Sequence, residues 1–307
     1  MSHAYRLSAL QLVSDIELPE LVPWDGRHDA PVDLYFRLGK VPARLDNPDR
    51  VVGEFQTKGC RQYLTTSPGE ARVLVENGCA VTVEPALGDD LTDARAVLMA
   101  PVQAVLWHQR GLLPLHASVV GVRGRAIALA GPSGAGKSTL AAVLGAQGHD
   151  VLADDICIVD VAGAAPDGAH VLAGTRRLRL WRDALDHLGI AVDGLPRALS
   201  RREKYLIEGG ERRGPERQTL AAIVLLSRRA AGGLTIERLR GARSIMALQD
   251  VVHMLPEARA LGFEAAIFTA LTGLASHGVS VWRLAMPDDR RCLAAAAARV
   301  LAPLAEG

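Results

Sequence analysis

Residues 131–138 read Gly-Pro-Ser-Gly-Ala-Gly-Lys-Ser, a complete G-x-x-x-x-G-K-[ST] phosphate-binding loop. The apolar run Ala126–Ala130 before it has the character of a buried strand. The stretch from Lys137 to Gln147 after it has helical spacing, with Leu140, Val143 and Leu144 on one face. This is the strand–loop–helix context that the motif needs. Gly131, Gly134 and Gly136 let backbone N–H groups turn inward around a phosphate, and the helix N-terminus adds its dipole. The motif expects Lys137 to reach the β and γ phosphates and the Ser138 hydroxyl to ligand magnesium. The expected nucleotide-contacting set is Gly131, Ser133, Gly134, Ala135, Gly136, Lys137, Ser138 and Thr139. A glycine-rich turn without a ligand is the plain alternative. Coincidence of the full motif with its full context argues against it.

A phosphate loop needs a carboxylate near its metal. The candidate is Asp154-Asp155, after the short apolar run Val151-Leu152-Ala153. Asp154 lies only 17 residues beyond Lys137, so its strand is expected directly after the loop helix. The reading places that strand centrally in a sheet, with the acids at its C-terminal end, where such sheets bind ligands. Transporter-type ATPases share the loop sequence, but they carry a distant acidic strand and an L-S-G-G-Q signature. Here the late run Leu220–Leu226 ends at Ser227, and no such signature exists.

Outward from this centre, Leu115–Val122 and Arg125–Ala130 read as a hairpin turning at Val122-Arg123-Gly124. Leu220–Leu226 reads as a buried strand with Leu234–Leu239 beside it. Pro256–His277 reads as one long helix, Val279–Leu284 as a late strand, and Asp288–Leu304 as a closing helix. Residues 1–92 hold short strand-like runs (Val32–Phe36, Val51–Phe55, Ala71–Val75) separated by Gly, Pro, Asn and Asp. Thr92–Arg110 has helical periodicity and stops at Gly111, a C-cap residue. The expected organisation is a small β-rich domain at 1–92, a bridging helix and linker at 93–114, and a phosphate-loop domain at 115–307.

The chain has 307 residues, 49% hydrophobic and 22% charged, which is ordinary for a globular protein. Its net charge of +1 hides an asymmetry: −5 over residues 1–100 and +6 over 101–307. That suits a nucleotide site and is too weak and mixed for a nucleic-acid surface. The cysteines Cys60, Cys79, Cys157 and Cys292 lie far apart with no C-x-x-C pair. Reduced thiols in a cytoplasmic protein are expected, without a zinc site. No apolar run reaches membrane-spanning length.

The run from Leu115 to Asp155 resembles the catalytic core of HPr kinase/phosphorylase and its bacterial relatives, itself distantly similar to the nucleotide site of phosphoenolpyruvate carboxykinase. The resembling features are Leu115-His116, Gly131 fifteen residues after His116, the Gly-Lys-Ser turn, and Gly148-His149-Asp150-Val151-Leu152-Ala153-Asp154-Asp155. The resemblance implies an α/β kinase core that transfers the γ-phosphoryl of ATP, with Mg²⁺, to a serine on a peptide or protein. It implies that Asp154 accepts the serine proton, that His116 sits beside that acid and tunes it, that Lys137 binds the phosphates, and that Ser138 and Asp155 hold magnesium. Members acting on HPr carry acidic residues where this chain has Pro132 and Thr139, and a Glu-x-Arg-Gly-x-Gly stretch that it lacks. The pattern is closer to relatives associated with peptide modification, including lasso-peptide tailoring kinases. A homo-oligomer is left open.

The basic clusters are weighed against solvated surface. Arg176, Arg177, Arg179 and Arg182 flank Leu178, Leu180 and Trp181; they are expected to face solvent, with capture of a phosphate or an acidic peptide end as the functional alternative. Pro196–Gln218 is the most loop-like stretch, and its Lys204 is a candidate cation closing over the nucleotide, ahead of Arg201 and Arg202. Arg212, Arg213 and Arg217 alternate with Glu211 and Glu216 and read as surface. Two further readings compete with the peptide kinase: a small-molecule kinase with the same loop, and a nucleotide-binding regulatory module without transfer.

Overall fold

The computed structural model describes residues 2–27, 31–65, 71–86, 88, 91–161, 168–175, 177–199, 202–210, 214–229 and 232–304. It is a mixed α/β structure with several sheets. The chain divides into two units. One holds Met1–Leu112, Arg197–Arg202 and His253–Ile267; the other holds Leu113–Pro196, Glu203–Val252 and Phe268–Gly307.

In the first unit, nine short strands among the described residues form one sheet: β1 (His3–Leu7), β2 (Leu10–Ser14), β3 (Val22–Pro23), β4 (Leu34–Leu38), β5 (Arg50–Val52), β6 (Phe55–Lys58), β7 (Gln62–Thr65), β8 (Arg72–Glu76) and β9 (Ala80–Glu84). Their order is β3-β1-β2-β4-β9-β8-β7-β6-β5. Alternation decides which face is buried: Val73 and Val75 on β8, and Val81 and Val83 on β9, are fully enclosed. The single strand expected over 51–55 is broken by a turn at 53–54, between the end of β5 and the start of β6, where Gly53 takes φ +54°. The helix expected over 92–110 runs as α1 (Thr92–Val97), a π segment (Leu98–Val102) and α2 (Gln103–Gln109). Pro101 lies inside the π segment; it has no N–H to donate, and the wider turn accommodates its ring. Gly111 follows with φ +76°, as a C-terminal stop requires.

The second unit is built on another sheet, also of nine strands among the described residues. Its strands are β10 (Leu113–Leu115), β11 (Ala117–Val122), β12 (Arg125–Ala130), β13 (Asp150–Ala153), β14 (Cys157–Asp160) and β15 (His170–Leu172), joined after an intervening hairpin by β18 (Arg217–Arg229). The order is β10-β14-β15-β18-β12-β11-β13. The hairpin is β16 (Arg177–Trp181) with β17 (Lys204–Glu208), a separate antiparallel pair. β19 (Thr235–Leu239) and β20 (Ser280–Pro287) complete the set, with β20 parallel to β18 and β19 antiparallel to β20. The β11–β12 turn has positive φ at both Arg123 and Gly124, as a two-residue type I′ turn needs. The loop helix is α3 (Lys137–Ala146), α4 is Arg182–Leu188 and α5 is Ala242–Gln249. Val120, Ile127, Leu129, Leu140, Leu144 and Val224 form one apolar core between sheet and helices. Each such side chain contributes roughly 1.5–3 kcal/mol by leaving water.

Several expectations change. The strand before the acidic pair, β13, is terminal in the sheet order rather than central, because antiparallel β11 lies between it and β12. The stretch 196–218 is not all loop, since β17 runs through it. Strand 235–239 pairs with β20, not with β18. The long helix over 256–277 is two, α6 (Leu255–Ala260) and α7 (Glu264–Ser276). Gly262 separates them at φ +88°, while the Phe263 N–H donates to the Ala258 carbonyl, which closes α6 in a Schellman-type end. The closing helix is α8 (Leu293–Leu301), shorter than expected and flanked by 3₁₀ turns. No helix among the described residues is long and apolar enough to cross a membrane. Arg176, Arg201, Glu211, Arg212 and Arg213 lie outside the described residues.

Candidate active site

β12 and β13 run in the same direction, because each is antiparallel to the β11 between them. The phosphate loop leaves the C-terminal end of β12, and the acidic pair leaves the C-terminal end of β13. The N-terminal end of β11, with His116 before it and Ser118 on it, lies between the two. Three elements adjacent in one sheet thus bring the sequence-predicted residues to one edge.

The loop has the backbone that its glycines permit. Gly131, Gly134 and Gly136 have φ of +140°, +81° and +101°. A Cβ on Gly131 would stand 2.6 Å from the Leu226 carbonyl oxygen, so the position admits only glycine on two counts. Lys137 is 7% exposed, and its Nζ donates to the carbonyls of Gly131 (2.9 Å) and Pro132 (3.1 Å). Burial pulls its pKa down to about 8, against the attraction of Asp155 and Asp154. Ser133 and Gly134 are exposed at the loop tip, Ala135 is buried, and Thr139 is half-buried on the first turn of α3.

The two aspartates occupy different surroundings. Asp154 is 4% exposed and accepts three hydrogen bonds. Ser118 Oγ (2.5 Å) and Ser138 Oγ (2.8 Å) donate to Oδ1, and the Arg179 N–H (2.8 Å) donates to Oδ2. The loop hydroxyl and the acidic pair are therefore joined directly. Asp155 turns the other way, because the backbone is left-handed there, with φ +71°. A non-glycine residue in that region costs about 1–2 kcal/mol, strain of the kind that collects at functional sites. The Asp155 carboxylate pairs with Arg179 Nη1 at 2.8 Å and lies 3.7 Å from His116 Nδ1. His116 Nδ1 also meets the Asp155 carbonyl at 3.1 Å, which puts the proton of the neutral ring on Nδ1. Burial and the Lys137 charge lower the His116 pKa, so this ring stays neutral near pH 7.

Lys204 sits on β17 rather than on a loop, with Nζ 5.8 Å from the centre of the Trp181 ring. Its charge opposes protonation of both Lys137 and His116, which places it within electrostatic reach of the site.

Two residues were misread or missed in the sequence. Arg179 does not face solvent: its side chain is 13% exposed, and it serves both aspartates, one with backbone and one with guanidinium. Alternation along β16, with Leu178 and Leu180 buried, does put Arg177, Arg179 and Trp181 on the opposite face. Nothing local says that this face covers the acidic pair. Arg228 follows Ser227 on β18, the strand parallel to β12, so it emerges beside the loop. Its Nε donates to the Gly134 carbonyl at 3.1 Å, and its Nη1 pairs with Asp288.

No protein-family model matches this sequence, and no curated protein does. Among solved structures the chain is similar to the Hpr(Ser) kinase/phosphatase from Coxiella burnetii. The two share 12% identity over 63% of this chain and 99% of that one, with a TM-score of 0.33. At that score the likeness adds nothing to the geometry above, on which the functional reading rests.

The residues fit a nucleotide with a hard divalent cation. Inward-turned loop glycines, a lysine already lying on the loop carbonyls, and a hydroxyl hydrogen-bonded to a carboxylate supply the amide, ammonium and oxygen donors that phosphates and magnesium take. The four cysteines are separate free thiols, and no cluster of His, Cys, Asp and Glu with metal-ligand grouping occurs among the described residues.

Proposed function

We propose that this chain is a phosphotransferase of the phosphate-loop kinase type, moving the γ-phosphoryl group of ATP to a serine hydroxyl on a peptide or protein. The observation that carries the reading is the direct bond from Ser138 to Asp154, with Asp155 turned toward Arg179 and His116. A regulatory nucleotide module has no need for a second carboxylate held apart from the first.

The two aspartates divide the work by environment, in the reverse of the order that the resemblance implies. Asp154 is buried and already accepts three hydrogen bonds, so it is suited to fixing the loop hydroxyl and is poorly placed to take a new proton. Bound magnesium would neutralise phosphate charge, with Ser138 and Asp154 as the residues that hold it. Asp155 is more open and faces the other side. It accepts the proton of the attacking serine hydroxyl as the oxygen bonds to the γ-phosphorus and ADP leaves. Neutral His116 holds the Asp155 backbone without adding positive charge that would weaken the base. Lys137 neutralises the phosphates, and Arg179 keeps the Asp155 carboxylate in place.

The test is incubation with magnesium ATP and candidate peptides, read by mass spectrometry. One added phosphate on serine, lost in Lys137→Met, is expected. Labelling of HPr but not of peptides would make HPr the acceptor. Labelling of a free metabolite alone would make the chain a small-molecule kinase. Absence of ATP turnover with every acceptor would overturn the assignment.

A further inference from the structure

The first unit holds a cavity of about 290 Å³. Its walls are mostly apolar: Phe55 on β6, Val97 at the end of α1, Pro101 and Val102 in the π segment, and Met254 before α6. Against these stand Tyr63, Thr65 and Glu257, with Glu54 at the rim. Glu257 lies half-buried in the first turn of α6; its own backbone N–H bonds the carboxylate, while Oε2 is shielded with no hydrogen-bond partner among the described residues. A buried carboxylate oxygen without a donor is among the costliest unsatisfied groups in a protein, and it calls for a missing partner. Tyr63, 3% exposed, does not supply one; burial and the Glu257 charge both push its phenol up, so it remains protonated. Burial also raises the Glu257 carboxyl above the ordinary range.

The backbone around the cavity is irregular in two places. The helix widens to a π turn at Leu98–Val102, a feature that recurs at functional sites. Met254 is left-handed at φ +54°. Both irregular segments contribute walls.

We propose that this cavity is a binding site for a primary ammonium group carrying a short apolar body. The ammonium would pair with the Glu257 carboxylate and neutralise it, the hydroxyls of Tyr63 and Thr65 would flank it, and the apolar body would lie against Phe55, Val97 and Pro101. An anion is excluded by the two glutamates, and a neutral apolar guest would leave the Glu257 carboxylate without a counter-charge. The ammonium can come from a free amine or from the N-terminus of a peptide.

Calorimetric titration of the full chain with phenethylamine tests this without reference to phosphotransfer, so its failure leaves the kinase reading standing. Phenethyl alcohol is the neutral comparison. A peptide beginning with Phe, with free and with acetylated N-terminus, separates the two sources. Phenethylamine should bind at least tenfold more tightly than the alcohol, and Glu257→Gln should remove that preference. The same variant should melt no lower than the parent protein, because burial already disfavours the charged form of that carboxylate. Val97→Phe, which fills the cavity and leaves Glu257 in place, should abolish binding. Equal affinity for amine and alcohol, undiminished binding in Glu257→Gln or Val97→Phe, or no binding of any probe (a cavity that holds water only) would overturn the proposal.

Discussion

Replacing Asp154 by Asn is the sharpest test of how the site is built. The carboxylate accepts from Ser118, Ser138 and the Arg179 N–H. Asparagine keeps one acceptor oxygen, which can stay with the two serines; its amide then faces the Arg179 N–H, donor against donor. Hydrogen bonds to a charged group contribute about 1.5–3 kcal/mol and neutral ones about 0.5–1.5, so the two serine bonds weaken by about 1 kcal/mol each. The stranded Arg179 N–H costs about 1–3 kcal/mol more. Relief from burying a charge offsets part of this, and the net expectation is about 3 kcal/mol. In urea that is a midpoint shift of roughly 1 M, read by circular dichroism. Ser118→Ala should cost about 2 kcal/mol in the parent and under about 1 kcal/mol in the Asn background, since its partner has lost its charge. On activity, Asp154→Asn should raise the magnesium requirement by about tenfold or more, as loss of a residue orienting a metal ligand does. Asp155→Asn should instead lower the rate by about 10²–10⁴-fold at an unchanged magnesium midpoint. An unshifted urea midpoint, additive serine and aspartate effects, or a metal defect confined to Asp155→Asn would refute the reasoning.

Other outcomes follow from the same geometry. Lys137→Met should abolish phosphotransfer while the far-ultraviolet spectrum is unchanged, because the loop lies at a strand end rather than in the core. Arg228→Gln should raise KM for ATP by about tenfold, with a smaller change in kcat, since one charged bond near the loop contributes about 1.5 kcal/mol or more; steady-state kinetics read the split. In the first unit His108 is 2% exposed, donates to the His253 carbonyl, and has its pKa pulled by burial from 6.5 to about 4. The unfolded chain therefore binds the extra proton between those values. Stability is fully present above pH 6.5 and falls by about 3 kcal/mol toward pH 4. His108→Gln should flatten that slope in melts taken across the window.

What could be read from the sequence was whatever is local. The phosphate loop, its strand and helix, the Arg123-Gly124 turn and the Gly111 stop all depend on neighbours within a few residues, and each has its own backbone chemistry. The acidic pair was legible because its strand comes so soon after the loop helix. The position of that strand at the end of the sheet order was not, since pairing partners are chosen across the chain. Arg179 illustrates the limit. Period-two alternation separates it correctly from Leu178 and Leu180, yet whether that face meets water or Asp155 depends on a hairpin whose partner strand lies in a stretch rich in charge, glycine and proline. Arg228 carries no local sign at all; only the parallel register of β18 with β12 brings it to the loop. The break at Gly262 carries one local sign, the glycine itself, set among alanines that favour a continuous helix.

Ser118 faces Leu129 in the hairpin register, two residues short of where the phosphate loop begins. The anchor of Asp154 and the loop itself thus hang from one continuous ribbon of chain, closed by a two-residue turn. Their separation behaves like the spacing of marks on a ruler, indexed by the ladder of backbone bonds and indifferent to how the helices settle on either face. Helices can lengthen, tilt or exchange core side chains without moving the marks. A single residue gained or lost between Ala117 and Ala130 would slide the scale by one division and turn Ser118 to the opposite face, parting the carboxylate from the hydroxyl it serves.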